Sequence, residues 1–140
     1  MATLSNDSAL ALIQAAGRSA REIGKPFSIT VVDRSGLVLA ASRMDGAALT
    51  TLSLSRDKAV TALAVSAGTG AWQGRLIETF GAAGPALFAA ASPELVPLPG
   101  GVPIVVGGQI VGSIGVSGGV ADEDVAVARS ALASVESGLS

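Results

Sequence analysis

The chain predicts an α+β domain: an antiparallel sheet built from two hairpins, with helices packed against it. Three observations carry this. Two pairs of β-rich runs are each joined by a tight glycine-containing turn, at Arg34-Ser35-Gly36 and at Gly107-Gly108. The segments around and between them space their apolar residues as helices do. The resulting order is helix, hairpin, helices, hairpin, helix, and hairpin strands pair antiparallel.

The elements follow in order. Asp7 to Ile23 is expected to be a helix, with Asn6 or Asp7 as its cap and Gly24 closing it. Ala9, Leu12, Ile13, Ala16, Ala20 and Ile23 share one face, while Gln14, Arg18 and Arg21 share the other. Pro26 forces extended backbone. Phe27 to Asp33 and Leu37 to Met44 form the first hairpin. Thr50 to Ala67 is the second helix. Gly68, Gly70 and Gly74 then interrupt the chain, leaving a short helix from Arg75 to Phe80 and further turns from Pro85 to Ala91. These glycines would also let the segment act as a lid, with Trp72, Glu78 and Phe80 on it. Pro93, Pro97 and Pro99 stiffen the approach to the second hairpin, Val102 to Val106 and Gln109 to Ser117. Ala121 to Val135 is the last helix, with Asp122, Glu123 and Asp124 in its first turn, where the helix dipole favours negative charge.

Composition excludes several functions. The chain has 140 residues, enough for one core, and is expected to form a single domain over 1–140. With 49% hydrophobic and 14% charged residues, part of its surface is expected to be covered in a homo-oligomer. A net charge of −2 and scattered Lys and Arg argue against nucleic acid. No stretch approaches the ~18 apolar residues of a membrane span, and the N-terminus lacks the pattern of a signal peptide. A cytoplasmic protein without a membrane partner is therefore expected. The chain contains no His, Cys or Tyr. That removes the usual zinc sites and a Ser-His-Asp triad. Of the usual haem ligands only Met1 and Met44 remain, so strong axial ligation of haem iron is not expected. No metal and no cofactor are expected from the residues themselves. Carboxylates, Lys, Arg, hydroxyls and backbone N–H groups remain.

Three places could carry chemistry. The first is Pro99-Gly100-Gly101 with Ser117-Gly118-Gly119. Successive glycine N–H groups can cradle an anion, and the missing side chains admit a ligand to the backbone. The alternative is that they only permit tight turns. The second is Arg56-Asp57-Lys58. Arg56 lies on a helical stripe with Leu49, Leu52, Val60 and Leu63, and Lys58 on one with Leu54, Ala62 and Val65. Each charge interrupts an apolar face. A buried cation needs a partner, whether a protein carboxylate, a helix end or a ligand anion. A lysine there can also serve as a base. The alternative is that Lys58 snorkels to the edge and Arg56 meets a structural carboxylate. The third is Arg43-Met44-Asp45-Gly46 at a strand end. It would bind a polar ligand or form a strand-ending salt bridge.

Val31-Val32-Asp33, Gly36, Ala41-Ser42-Arg43-Met44-Asp45-Gly46-Ala47, Asp57-Lys58-Ala59, Pro99-Gly100-Gly101-Val102-Pro103 and Ile114-Gly115-Val116-Ser117-Gly118-Gly119 occur in order along nearly the whole chain. In this combination the sequence resembles the GlcG/HbpS family, which includes the C-terminal domain of PduO-type proteins. The resemblance implies a profilin-like sandwich with a sheet of about five strands flanked by helices. It also implies oligomers, haem or corrinoid binding in some members, and a pocket formed by Arg43, Asp45, Lys58 and Pro99-Gly100-Gly101. Where haem-binding members use a histidine, this chain has none to carry over.

Two functions are compatible with these residues. One is a small-molecule-binding module that holds an anionic or carbonyl-bearing organic ligand through Arg43, Arg56, Lys58, Ser117 and the Pro99-Gly100-Gly101 loop. The other is a cofactor-independent isomerase, lyase or cyclase in which Lys58 or Asp45 moves a proton and the glycine N–H groups stabilise an oxyanion. Binding is the expected function.

Overall fold

In the computed structural model, which describes residues 2–139, the sequence forms α1 (Asn6–Ile23), β1 (Ser28–Asp33), β2 (Val38–Arg43), α2 (Leu49–Val65), α3 (Thr69–Phe80), α4 (Gly84–Ala91), β3 (Gly101–Val106), β4 (Gln109–Ser117) and α5 (Ala121–Val135). A short 3-10 turn, Glu136–Gly138, follows. The strands make one antiparallel sheet in the order β2-β1-β4-β3. The two hairpins thus meet through β1 and β4, and the α+β class holds.

The sheet has four strands rather than about five. Only the two hairpins supply strands. The approach to β3 carries Pro93, Pro97 and Pro99, which cannot donate to a ladder. It is held to α2 instead, where the Val96 N–H donates to Thr61 Oγ1 at 2.8 Å.

α1 and α5 pack together on one face of the sheet and α2 lies on the other. On the α1/α5 face, Ile29, Val31, Val102, Ile104, Ile114 and Val116 meet Leu12, Ala16, Ala20, Val127, Ala128 and Ala131 in a continuous apolar core. The α2 face differs. Its strand residues alternate as Ser28, Thr30 and Val32 on β1, paired with Ser117, Gly115 and Ser113 on β4. Ser28 Oγ bonds Thr51 Oγ1 at 2.8 Å and Thr30 Oγ1 bonds Ser55 Oγ at 2.7 Å. Ser113 donates to the Ala59 carbonyl. The layer is sewn by hydroxyls around a few small aliphatic side chains, Val32, Ala59 and Ala62.

Most element ends shift by one or two residues from expectation, and two helix starts do so for clear local reasons. The α1 cap is Ser5, whose Oγ accepts from the Ser8 N–H at 3.1 Å, so Asn6 and Asp7 are helical. α3 starts at Thr69 and runs through Gly70 and Gly74. A helical glycine costs about 1 kcal/mol without ending the helix, and Gly70 here faces Pro99. The segment expected to be a glycine-punctuated lid is a 12-residue helix, with Trp72 edge-on to Phe88 of α4 at 5.5 Å.

Candidate functional site

The strand register brings the candidate segments to one end of the sheet. Ser28 lies between Arg43 on β2 and Ser117 on β4, and Gly101 on β3 pairs with Gly115. Strands lie ~4.8 Å apart, so Arg43 and Ser117 are about 10 Å apart along this row. Ser117 is buried, and Arg43 and Asp45 are exposed.

Lys58 sits at this end, on the sheet-facing side of α2, and is only 4% exposed. Its Nζ donates to Asp124 Oδ2 and to the Val116 carbonyl, each at 3.0 Å. Asp124, also 4% exposed, reaches back from the first turn of α5 and takes the Gly119 N–H on Oδ1 at 2.9 Å. One buried ion pair therefore joins α2, the end of β4, the Gly118-Gly119 loop and α5. Burial pushes the Asp124 carboxyl above the ordinary carboxylate range; the Gly119 N–H and Lys58 pull it only part of the way back. The neighbouring Glu123 moves the other way. Its hydrogen bond from Lys25 at 2.7 Å, then that from the Val120 N–H, lower its pKa.

The Pro99-Gly100-Gly101 loop lies directly against this pair. Gly100 has φ +127°, and a side chain there would overlap the Val116 carbonyl and crowd the Lys58 stem. A side chain at Gly101 would overlap the Lys58 carbonyl. The Gly101 N–H donates to Thr69 Oγ1 at 2.9 Å, which anchors the start of α3 to the loop. Gly100 and Gly101 are buried, and Pro99 is half-buried against Gly70. Close backbone approach between β3, β4 and α2 is what both glycines permit.

The other candidates lie apart from Lys58. Arg43 Nη1 donates to the Ala47 carbonyl at 3.2 Å across the turn that follows β2. Asp45 lies in that turn and makes no ion pair with Arg43 among the described residues. Arg56 is on the outer side of α2, paired with Asp57 at 3.3 Å. Its helical neighbours Leu49 and Leu52 are exposed as well, so that stripe faces outward. Lys58, Gly100, Gly101 and Ser117 come together, with Arg43 and Asp45 at the same sheet end and Arg56 on the outer surface.

Sequence reasoning missed Asp124 as the partner of Lys58. Spacing alone gives three acidic residues in one helical turn and does not say which points inward. It also missed Thr51 and Ser55. Their signal was present: Thr51, Ser55, Lys58, Ala59 and Ala62 follow helical spacing and form the buried face of α2.

Comparison with known proteins gives a consistent result. The family model described as haem degrading protein HbpS-like matches residues 4–133. An uncharacterised 15.0 kDa protein from the dhaT-dhaS intergenic region of Citrobacter freundii is 33% identical over 132 residues, 94% of this chain and 92% of that protein. Protein GlcG of Escherichia coli K12 is 40% identical over 114 residues, 81% of each chain. Among solved structures, a PduOC:haem complex superposes with a TM-score of 0.86 at 27% identity, over 99% of this chain and 98% of the other. A double mutant of HbpS from Streptomyces reticuli gives 0.85 at 31%, over 96% and 88%. With the family model spanning nearly the whole chain and the fold shared at this level, the chain belongs to the HbpS-like family, together with GlcG.

Proposed function

We propose that this protein is a small-molecule-binding module. Its ligand is an anionic, carbonyl-bearing organic compound held at the sheet end between Arg43 and the Ser117-Gly118-Gly119 loop. Lys58, Gly100 and Gly101 form the rigid wall behind it. The observation that carries this reading is the buried Lys58–Asp124 pair. It fixes both glycine loops on one frame and leaves Arg43 facing solvent there without a carboxylate partner among the described residues, whereas exposed Lys25 is paired with Glu123. A lysine already holding a carboxylate and a carbonyl is a poor free base, which favours binding over catalysis.

Haem, which the family description names, does not fit the donor set. Haem iron takes His, Cys, Met or Tyr as axial ligands. The chain lacks three of these, and of its two methionines Met44 Sδ already accepts a hydrogen bond from the Phe27 N–H at 3.4 Å, while Met1 lies outside the described residues.

Pyruvate tests the reading. Added up to about 10 mM, it is expected to shift the amide resonances of Gly118 and Gly119. Arg43→Gln should weaken binding by roughly 1.5–3 kcal/mol, the range for a hydrogen bond to a charged group. No shift at these amides overturns the site. One observation favours a second reading. Lys58 Nζ and Asp124 Oδ2 form a buried acid–base pair at 3.0 Å, and an enzyme using that pair would exchange the pyruvate methyl protons with solvent deuterium.

We also propose a homo-oligomer. Leu37, Val38, Leu49 and Leu52 are 67%, 49%, 86% and 38% exposed, and a groove of ≈ 320 Å³ lined by Val38, Ala41, Leu52 and Arg56 runs between β2 and α2. Light scattering at micromolar concentration should give the mass of two or more chains. Leu49→Lys combined with Leu52→Lys should lower it, and a monomer in the unmodified protein contradicts the assembly.

A further inference from the structure

A different groove lies on the opposite face of β2 from Arg43, between that strand and α1. It encloses ≈ 400 Å³ and is lined by Ile13, Gln14, Gly17, Arg18, Arg21, Ile29, Ser42 and Met44. This volume falls within the range of small-molecule sites, about 300–1,000 Å³. The floor is apolar: Ile29 is 1% exposed, and Ile13 and Met44 are half-buried. The rim carries two guanidinium groups and no carboxylate.

Those guanidinium groups are uncommitted. The ion pairs among the described residues are Lys25–Glu123, Arg56–Asp57 and Lys58–Asp124. Neither Arg18 nor Arg21 enters one, and they share the rim with the Gln14 amide and the Ser42 hydroxyl. Two cations held side by side repel each other unless an anion joins them.

Gly17 gives an independent indication. It lies in the middle of α1, where glycine is less favourable than alanine by about 1 kcal/mol. Gly84, Gly100, Gly101, Gly112, Gly115 and Gly118 stand where a side chain would strike backbone, and most of the others lie in turns or caps. At Gly17 an added Cβ would meet only the Arg21 Nη1 atom, at 3.4 Å. Packing within the chain does not require a glycine there. What its missing side chain leaves open is the groove, with the Arg21 guanidinium folded back over it.

We infer that this groove binds a small organic carboxylate with an apolar body. The carboxylate would lie between Arg18 and Arg21, which present planar donor pairs suited to it. The hydrophobic part would rest on Ile13, Ile29 and Met44. The site is separate from the one proposed at the sheet end and does not depend on it.

Phenylacetate and its neutral isostere phenylacetamide test the inference on the full-length protein, by calorimetric titration. Phenylacetate should bind with a Kd in the millimolar range or below, and phenylacetamide at least about tenfold more weakly, since the paired guanidinium contacts are charge-assisted. Arg18→Gln combined with Arg21→Gln should weaken phenylacetate by about tenfold or more. Gly17→Leu should abolish binding by filling the groove, while helical circular dichroism and melting temperature stay at or above those of the unmodified protein. Pyruvate binding at Gly118 and Gly119 should be unaffected by either change, so the two sites fail or succeed separately. Equal binding of acid and amide, undiminished binding by the double variant, or no binding at about 20 mM overturns the inference. A drop in oligomeric mass on Arg18→Gln/Arg21→Gln, without loss of phenylacetate binding, assigns the arginines to a second copy of the chain and overturns it too.

Discussion

Replacing Lys58 by methionine is expected to destabilise the fold by about 3–5 kcal/mol, the cost of breaking a buried ion pair from one side. The methionine fills the space of the lysine stem. It leaves Asp124 buried, with the Gly119 N–H still donating to Oδ1. The effect depends on pH in a defined direction. Asp124 has a folded pKa raised above its unfolded value of about 3.9. A carboxyl shifted upward contributes stability that is full below the unfolded value and lost as pH rises through the folded one. Removing Lys58 removes a hydrogen bond and a charge that oppose the shift, so the shift grows. The deficit of Lys58→Met is therefore largest near neutrality and shrinks as pH falls. Urea unfolding at about pH 7 and about pH 5 reads this directly. Changing Asp124 to leucine in the same chain should recover most of the loss, because no lone buried charge remains. A single variant that loses less than about 1 kcal/mol at both pH values contradicts the burial of the pair.

Gly115→Ala is expected to be the other severe substitution. The new Cβ would overlap the Ser55 carbonyl oxygen and lie 2.7 Å from the Ala59 nitrogen. Both atoms belong to the α2 backbone, so no side chain can turn aside, and the helix itself must lift from β4. Lifting it breaks the Thr30–Ser55 bond at 2.7 Å and the Ser113 bond to Ala59. The cost should reach or exceed the top of the ~1–3 kcal/mol range for overpacking. Gly74→Ala is the control. It lies inside α3 with nothing within 4 Å of an added Cβ, and should raise stability by up to about 1 kcal/mol. Chemical denaturation of the two variants should give opposite signs. If Gly115→Ala matches the unmodified protein, α2 does not lie as close to β4 as described.

Most of the architecture was legible because it depends on local signals. The turns at Gly36 and Gly107-Gly108 and the periodicity of the first and last helices each answer to short-range chemistry. The strands of the second hairpin run almost as read, with β4 at Gln109–Ser117. The orientation of α2 was not legible from apolar stripes. Leu49 and Leu52 suggested a buried face, yet Leu49 is 86% exposed and the sheet side carries Thr51, Ser55 and Lys58. Hydropathy cannot find a face that is buried through hydrogen bonds. The same limit hid Asp124. Lys58 was recognisable as a cation needing a partner, but that partner is 66 residues away. Only the β1–β4 pairing brings it into reach. The Arg18–Arg21 groove was half visible. Both residues fell on the polar side of α1, but nothing local showed that Ile29 of β1 and Met44 after β2 would supply an apolar floor beneath them.

The hydroxyl seam under α2 bears on how this fold responds to temperature. Exposing apolar surface raises heat capacity on unfolding, whereas exposing polar groups lowers it. One layer of this domain releases aliphatic side chains to water. The other releases Ser28, Thr30, Thr51, Ser55 and Ser113. The two contributions oppose each other, so the heat-capacity increment per residue falls below that of a domain with two aliphatic layers. The stability curve is correspondingly flatter, and cooling weakens the α2 layer less than the α1/α5 layer. Near the cold end of its range the chain is held increasingly by its hydrogen-bonded side.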